Sequence, residues 1–264
     1  MDYREGPRPL AIAHRGGAAL APENTLAAFA LASALGLRYL ETDLQVTRDG
    51  HAVCFHDHDL GRTTGATGPV RSRTLAELRL LRVNGTELIP TLEEVLDAFP
   101  EQCFTVDLKD RAAIGPMVGS LQRLRAADRV CIAGAWDGWL GQVRRELPGV
   151  TTALGWRSLS ALLTCARTGV RPPRALATAP YAHVPVKLGR FPVFADRLVG
   201  MSHEIGVQVV TWTVDDPAVM RTLLNAGTDA IITDRPDLLR EVLIHRGQWS
   251  PMRAPMDTEP TSPE

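Results

Sequence analysis

The chain has 264 residues, of which 45% are hydrophobic and 22% are charged, and its formal net charge is -1. These values are typical of a folded globular protein and exclude a disordered or strongly charged chain, so we expect no bulk attraction to nucleic acid. The length is close to that of a single α/β barrel.

Three absences narrow the class further. The N-terminal segment has no apolar run behind basic residues, so we predict no secretory signal and expect a cytoplasmic location. The longest run of low polarity, residues 26–37, is shorter than the roughly 20 residues that cross a bilayer, so no transmembrane segment is predicted. The four cysteines are widely spaced and form no C-x-x-C pair, which indicates neither a disulfide framework nor a zinc site.

Short apolar runs alternate with helical periodicity along the chain. The runs predict strands at 10–13, 38–43, 103–108, 129–133, 151–154, 175–178, 207–212 and 230–233. Helical spacing predicts helices over 26–35, 92–99, 117–126, 140–147, 159–166, 195–205, 218–226 and 238–244. Regular alternation predicts a parallel sheet, and eight such units predict the α/β fold class, as a single (β/α)8 TIM barrel.

One segment interrupts this alternation. The second strand runs on to Asp49-Gly50, a hairpin signal, and a second extended run follows at 51–56. We therefore predict an extra β-hairpin after strand 2, which brings His56 back to the end of that strand. The barrel is predicted to span 9–247, preceded by an N-terminal extension at 1–8 and followed by a polar, proline-rich and disordered tail at 248–264.

Polar side chains cluster at the carboxyl ends of the predicted strands, where barrels of this class build their active sites. In E-x-D at 41–43 and D-x-K at 107–109 the charged residues are two apart, so each pair projects from one face of its strand. The sequence predicts that these groups converge with the other polar residues of the same end. The full set is His14, Arg15, Glu41, Asp43, His56, Asp107, Lys109 and Trp212.

Three converging carboxylates are costly to bury without a compensating charge. A divalent cation bound by Glu41, Asp43 and Asp107 would relieve their repulsion. Oxygen ligands favour a hard ion, so the predicted cofactor is Mg²⁺ or Ca²⁺.

Each of these residues also has a structural explanation when taken alone. A histidine at a strand end commonly serves as a hydrogen-bonded structural residue, and Asp107 with Lys109 is compatible with an ordinary ion pair. Trp212 suits a core position as well as an apolar wall for a substrate. Their shared place at one end of adjacent strands favours a functional site.

Six motifs, taken in order, resemble the glycerophosphodiester phosphodiesterase family over nearly the whole chain. They are AHRGG at 13–17, PENT at 22–25, ETDLQVTRDGHAVCFHD at 41–57, VDLKD at 106–110, VVTWTVDD at 209–216 and GTDAIITDRPD at 227–237. The resemblance implies a barrel, a divalent metal, and hydrolysis of a small glycerophosphodiester to sn-glycerol 3-phosphate and an alcohol.

The resemblance also implies roles for individual residues. His14 and His56 match the general acid–base pair of the family, and Trp212 matches an aromatic residue near the substrate. The chain departs from the family at the third strand, which commonly reads E-x-K and here carries Asp107, a shorter carboxylate. The remaining matches are Glu41 and Asp43 as metal ligands, and Arg15 and Lys109 as phosphate contacts.

Two other functions are compatible with the same motifs. A lysophospholipase D-like or sphingomyelinase D-like enzyme would need an apolar path for an acyl chain, for which Tyr181, Leu188, Phe191 and Phe194 are the candidates. A catalytically silent barrel that binds a phosphorylated metabolite is disfavoured, because both histidines are present. The sequence makes no prediction about the oligomeric state.

Overall fold

The structure, a computed structural model, describes residues 2–188, 191–192 and 197–252. Its main sheet contains the barrel strands β1 Leu10–Ala13, β2 Tyr39–Val46, β4 Cys103–Leu108, β5 Val130–Gly134, β6 Thr151–Thr152, β7 Tyr181–Pro185, β10 Gln208–Trp212 and β11 Ala230–Thr233. These strands pair in the order β6-β5-β4-β2-β1-β11-β10-β7, and a bridge from Ala153 to Tyr181 brings the two end strands together. The eight strands of this path are parallel and nearly close a barrel, which confirms the predicted fold class.

Among the described residues, three short strands lie outside the barrel. β3 (Ala52–Cys54) runs antiparallel to β2 with Leu44 opposite Cys54, so the predicted hairpin is present. β8 (Lys187–Leu188) and β9 (Phe191–Pro192) form a separate two-stranded pair. The α-helices are α1 Leu26–Ala34, α2 Gly61–Thr64, α3 Leu75–Leu78, α4 Leu92–Ala98, α5 Ile114–Arg123, α6 Asp137–Glu146, α7 Trp156–Thr168, α8 Leu198–Glu204, α9 Pro217–Asn225 and α10 Pro236–His245. None of the described helices is long and apolar enough to cross a membrane.

One predicted strand is misplaced. Residues 174–176 form a 3-10 helix that overlaps the predicted strand at 175–178, and the sixth barrel strand in chain order is instead β7. In β7 Ala182 and Val184 pack outwards with the helices, whereas Tyr181 and His183 lie on the interior face. A histidine and a proline within β7 interrupt its apolar residues, so its alternation of apolar and polar positions is hard to recognise in the sequence. The alanine-rich run before it gives a stronger apolar signal.

The predicted N-terminal extension is part of the barrel core. Residues 3–5 form a 3-10 helix, and Tyr3 is only 1% exposed. Its ring meets those of Tyr39 and Tyr181 edge to face, with centroids 5.2 and 5.6 Å away. Its hydroxyl lies 2.6 Å from Thr105 Oγ1. The segment therefore closes the bottom of the barrel.

The tyrosine that closes the barrel is expected to contribute strongly to stability. We predict that Tyr3→Ala lowers the free energy of unfolding by about 3–5 kcal/mol, because it leaves a cavity at the bottom of the barrel. Tyr3→Phe should cost only about 1 kcal/mol, the worth of the Thr105 hydrogen bond. Urea unfolding followed by circular dichroism measures both. Leu80→Ala, at a residue 82% exposed, is the control, and a Tyr3→Ala variant as stable as this control would contradict the prediction.

The predicted tail begins with packed residues. Trp249 is half-buried and packs against the core, and Arg240 places its guanidinium 5.8 Å from the centre of the Trp249 ring. The Met252 amide donates to the Gly36 carbonyl over 3.0 Å. A tryptophan within a polar segment supplies the apolar area that explains this contact. Residues 253–264 lie outside the described residues.

Candidate active site

A cavity of about 290 Å³ opens at the carboxyl ends of the barrel strands. Its lining includes all eight residues predicted from the sequence, which the fold brings together from four different barrel strands and the hairpin. They are His14, Arg15, Glu41, Asp43, His56, Asp107, Lys109 and Trp212.

The turn after β1 places His14 and Arg15 in the cavity. Arg15, Gly16 and Gly17 all have positive φ, at 50°, 81° and 96°. A Cβ on Gly16 would lie 2.7 Å from the Cβ of Ala28, so only glycine fits there. The Arg15 amide donates to Glu41 Oε2 over 2.8 Å, which ties the turn to β2.

His14 is oriented by a carboxylate. Its Nδ1 lies 2.7 Å from Asp234 Oδ1, and its Nε2 lies 3.9 Å from Glu41 Oε2. Burial disfavours the imidazolium, but the negative charges of Glu41 and Asp234 outweigh it, so the pKa of His14 is raised above its ordinary value. An Nδ1 proton shared with Asp234 leaves Nε2 to exchange a proton with a substrate.

His56 has the same kind of partner. Its Nδ1 lies 2.6 Å from Asp57 Oδ1. Arg62 donates to Asp57 and, through its other nitrogens, to Glu23. Although burial opposes ionisation, the Arg62 and His56 contacts hold the pKa of Asp57 below its usual range. Asp57 therefore stays ionised and holds the His56 ring in one orientation.

Two carboxylates of β2 are almost fully enclosed. Glu41 is 4% exposed and Asp43 is 1% exposed. Burial, followed by the charge of Asp43, raises the pKa of Glu41 well above its ordinary value. Burial acts on Asp43 too, but Lys109 and Arg15 outweigh it and lower its pKa. Asn24, at a positive φ of 57°, donates to Asp43 Oδ2 over 2.9 Å.

Lys109 pairs with two of the predicted metal ligands. Its Nζ lies 3.0 Å from Asp43 Oδ1 and 2.6 Å from Asp107 Oδ2. Over the described ranges, no group of three or more His, Cys, Asp and Glu side chains is arranged to hold a metal ion. The ammonium of Lys109 satisfies the Asp43 and Asp107 oxygens that the sequence assigned to a cation.

Arg15 has an unsatisfied donor in the cavity. Its Nη1 donates to Glu23 Oε1 over 2.9 Å. Its Nε lies 3.2 Å from Asp43 Oδ2, an ion-pair distance, but makes no directed hydrogen bond to any described residue. A buried guanidinium with an unused N–H is suited to an anionic ligand.

The wall across from these charges is neutral. It is formed by β7 and β10 and presents His183 and Trp212. Burial lowers the pKa of His183 to about 4, so its ring is uncharged at neutral pH. The cavity thus has a charged side and an uncharged side.

The sequence reasoning missed four residues of the site. Asp57 and Asp234 orient the histidines, Asn24 supports Asp43, and His183 lies in the unpredicted strand β7. The first three lie inside the motifs quoted above. The cap of α1 is Thr25, whose hydroxyl accepts from the Ala28 amide, so Asn24 is free to support Asp43. Asp57 could have been predicted, because it directly follows His56 and functional histidines commonly pair with a carboxylate.

Comparisons with known proteins identify relatives of this chain. The family model described as "Glycerophosphoryl diester phosphodiesterase family" matches residues 14–238. "Probable glycerophosphodiester phosphodiesterase 2" of Mycobacterium tuberculosis is 40% identical over 250 residues, covering 93% of this chain and 94% of the relative. "Glycerophosphodiester phosphodiesterase" of Caldanaerobacter subterraneus is 33% identical over 248 residues, covering 88% and 96%.

Solved structures share the barrel. A chain from Silicibacter pomeroyi matches with a TM-score of 0.78 and 25% identity, covering 93% of this chain and 97% of the other. An Oleispira antarctica phosphodiesterase, solved in complex with the product sn-glycerol-3-phosphate, matches with a TM-score of 0.75 and 24% identity, covering 90% and 97%. These matches support the fold described above.

Proposed function

Because the chain belongs to the glycerophosphoryl diester phosphodiesterase family, and is an enzyme of that family, we propose that it hydrolyses glycerophosphodiesters to sn-glycerol 3-phosphate and an alcohol. This membership confirms the resemblance of the motifs. The observation that carries the reaction is the cavity in which two histidines, each held by a carboxylate, lie beside Arg15 and Lys109. A relative with a bound sn-glycerol-3-phosphate supports the same product.

The two histidines act as the acid–base pair. One Nε2 takes a proton from the nucleophile while the other protonates the departing alcohol, and Asp234 and Asp57 hold the rings in place. The nucleophile is the glycerol 2-hydroxyl, because internal attack avoids recruiting a second molecule. The resulting cyclic phosphate is then opened by water. An analogue without the 2-hydroxyl should bind but remain intact, and its normal turnover would exclude the cyclic route.

A divalent cation fits the donor set of the site. Glu41 and Asp43 are enclosed side by side, and burial together with the charge of Asp43 raises the pKa of Glu41. A bound cation would compensate both effects. Glu41 and Asp43, with Asp107, would hold Mg²⁺ or Ca²⁺. When bound, the cation would supply positive charge for the phosphate oxygens. Lys109 would then exchange its contacts with Asp43 and Asp107 for the phosphate.

The guanidinium of Arg15 is expected to be irreplaceable by an ammonium. Arg15→Lys keeps the charge but loses the pair of parallel N–H groups and the Nε donor, which makes no directed hydrogen bond to a described residue. We predict a fall in kcat/KM of about 10- to 100-fold, the worth of one charge-assisted hydrogen bond. Steady-state kinetics measures it, with the exposed Arg71→Lys as control. Wild-type kcat/KM in Arg15→Lys would refute the assigned contact.

Replacing Asp234 is expected to shift the pH profile. Asp234→Asn removes one of the negative charges that raise the pKa of His14, so the limb of the kcat/KM profile that reports His14 should move to lower pH. Turnover should fall about 10- to 100-fold as the ring loses its orientation. The raised pKa also stabilises the fold below the unfolded value of about 6.5 and ceases to do so as pH rises through the folded value. The stability deficit of Asp234→Asn should therefore be largest in acid, and an unshifted limb would contradict the pairing.

A comparison of substrates tests the function itself. Metal-supplemented enzyme should release glycerol 3-phosphate from glycerophosphocholine, detected with a coupled dehydrogenase. A clear preference for lysophosphatidylcholine would instead favour the lysolipid enzyme, and inertness on both would favour a silent binding barrel.

The position of Tyr181 argues against a lysolipid substrate, because this candidate for an acyl-chain path lies at the closed bottom of the barrel. Leu188 and Phe191 belong to the β8–β9 pair, and Phe194 lies outside the described residues. A cytoplasmic location and the absence of nucleic-acid binding stay predictions from the sequence.

A further inference from the structure

Two side-chain nitrogen atoms on the neutral wall of the cavity make no hydrogen bond to the described part of the protein. His183 Nε2 and Trp212 Nε1 are buried, and neither has a hydrogen-bond partner among residues 2–188, 191–192 and 197–252. A buried polar group without a partner destabilises the folded state. Such groups beside a cavity need an explanation, and a ligand that satisfies them is one. Trp212 already has an expected place near the substrate, whereas His183 has no assigned role.

The strand order places this wall opposite the charged one. In a closed ring of eight strands, strands four places apart face each other across the axis. β7 is four places from β2 in both directions, and β10 is four places from β4. His183 therefore lies across the cavity from Glu41 and Asp43. The side chains of Ala133 and Ala153, on the arc between the two walls, are small and leave room for a ligand to span them.

The chemistry of this wall selects an uncharged polar ligand. A neutral imidazole has one N–H donor and one acceptor nitrogen, and the indole has one donor. A hydroxyl group both donates and accepts, so it satisfies such a set. A phosphate or an ammonium group would find no opposite charge here, and both are better served by the Arg15, Lys109 and carboxylate side.

The position of His183 along its strand selects the part of the substrate. His183 stands two residues beyond Tyr181 on the interior face of β7, and Tyr181 packs on the tyrosine that closes the bottom. The ligand atoms that reach His183 are thus the deepest ones. In a glycerophosphodiester the glycerol is constant and the alcohol varies, so the constant part suits the closed end and the variable part the opening.

We propose that His183, together with Trp212, hydrogen-bonds the hydroxyl groups of the glycerol moiety and is a specificity-determining residue. The inference rests on the proposed function in assuming a substrate with glycerol. His183 takes no part in proton transfer. It discriminates glycerophosphodiesters from diesters without hydroxyl groups, because a site built to pair with a hydroxyl rejects a ligand that lacks one.

Two substitutions separate this role from a structural one. His183→Phe keeps a planar ring but removes both nitrogens, and His183→Gln keeps a donor and an acceptor. Calorimetry on the metal-supplemented enzyme measures the Kd for sn-glycerol 3-phosphate and for inorganic phosphate, which has no glycerol. We expect His183→Phe to weaken glycerol 3-phosphate binding about 10- to 100-fold and to change phosphate binding less than about twofold. His183→Gln should restore most of the loss.

Stability supplies an independent readout. Because the free enzyme leaves Nε2 unpaired, His183→Phe should unfold at the same temperature as the wild type or higher, whereas a structural histidine would lose stability. His58→Phe, at an exposed histidine outside the cavity, is the matched control and should change neither Kd.

Several results would overturn the proposal. Unchanged glycerol 3-phosphate binding in His183→Phe, or an equal loss for glycerol 3-phosphate and phosphate, would reject it. So would a loss of kcat/KM confined to glycerophosphoglycerol and absent for glycerophosphocholine, since the recognised hydroxyl would then belong to the alcohol. A wild-type enzyme that binds glycerol 3-phosphate through His183 but leaves glycerophosphocholine intact would support the subsite and contradict the proposed function.

Discussion

His14→Ala and His56→Ala are each expected to lower kcat for glycerophosphocholine by about 10²–10⁴-fold, the usual contribution of a positioned acid or base. Each ring has its own carboxylate on Nδ1, so neither histidine can substitute for the other. Because the two protons move in one reaction, the double variant should be little worse than the poorer single variant. Single-turnover kinetics with saturating enzyme measures the chemical step directly.

The matched control for this pair is another histidine of the same region. His51 is about half exposed and lies outside the cavity lining. His51→Ala should retain wild-type turnover. If His56→Ala kept more than about a tenth of wild-type kcat while remaining folded, His56 would have no acid–base role.

Removal of the divalent ion should abolish turnover. Excess chelator is expected to eliminate activity, and Mg²⁺ or Ca²⁺ should restore it, because Glu41 and Asp43 then regain the compensating charge. The Glu41→Ala, Asp43→Ala double variant should remain inactive at any metal concentration. Calorimetric titration of Mg²⁺ or Ca²⁺ into metal-free protein, after the chelator has been removed, should show one binding event in the wild type and none in the double variant.

Two exposed carboxylates provide the comparison. Asp97→Ala, Glu101→Ala removes the same number of negative charges from the surface and should leave metal binding and turnover unchanged. The double variant at 41 and 43 also removes buried charges, so its fold must be checked by circular dichroism. Full activity of that variant in chelator would exclude the metal site.

The residues that converge at the barrel end were predictable because their signals are local. E-x-D and D-x-K fix two side chains on one face of a strand, and the carboxyl ends of parallel strands meet at one end of a barrel. Glu41 and Asp43 therefore lie where the spacing predicted. The Asp-Gly turn likewise located His56, since a hairpin returns the chain to its starting strand.

The supporting residues were not predictable in the same way. Asp234 reaches His14 across 220 positions of sequence, and a contact of that range leaves no periodic trace. The pairing of Lys109 with Asp43 and Asp107 depends on how neighbouring strands align, with Asp43 opposite Asp107. His183 was not predicted because a polar residue on the wall of a cavity breaks the apolar pattern by which strands are recognised in a sequence.

The tyrosine at the bottom of the barrel has a consequence for how the chain folds. Tyr3 is synthesised before its partners, because Thr105 follows 102 positions later and Tyr181 later still. β1 similarly waits for β11, the last of the described strands to be made. Contacts of such long range form slowly. Tyr3 can meet Tyr39 early, but the floor beneath the cavity is completed only after Tyr181 has also been made.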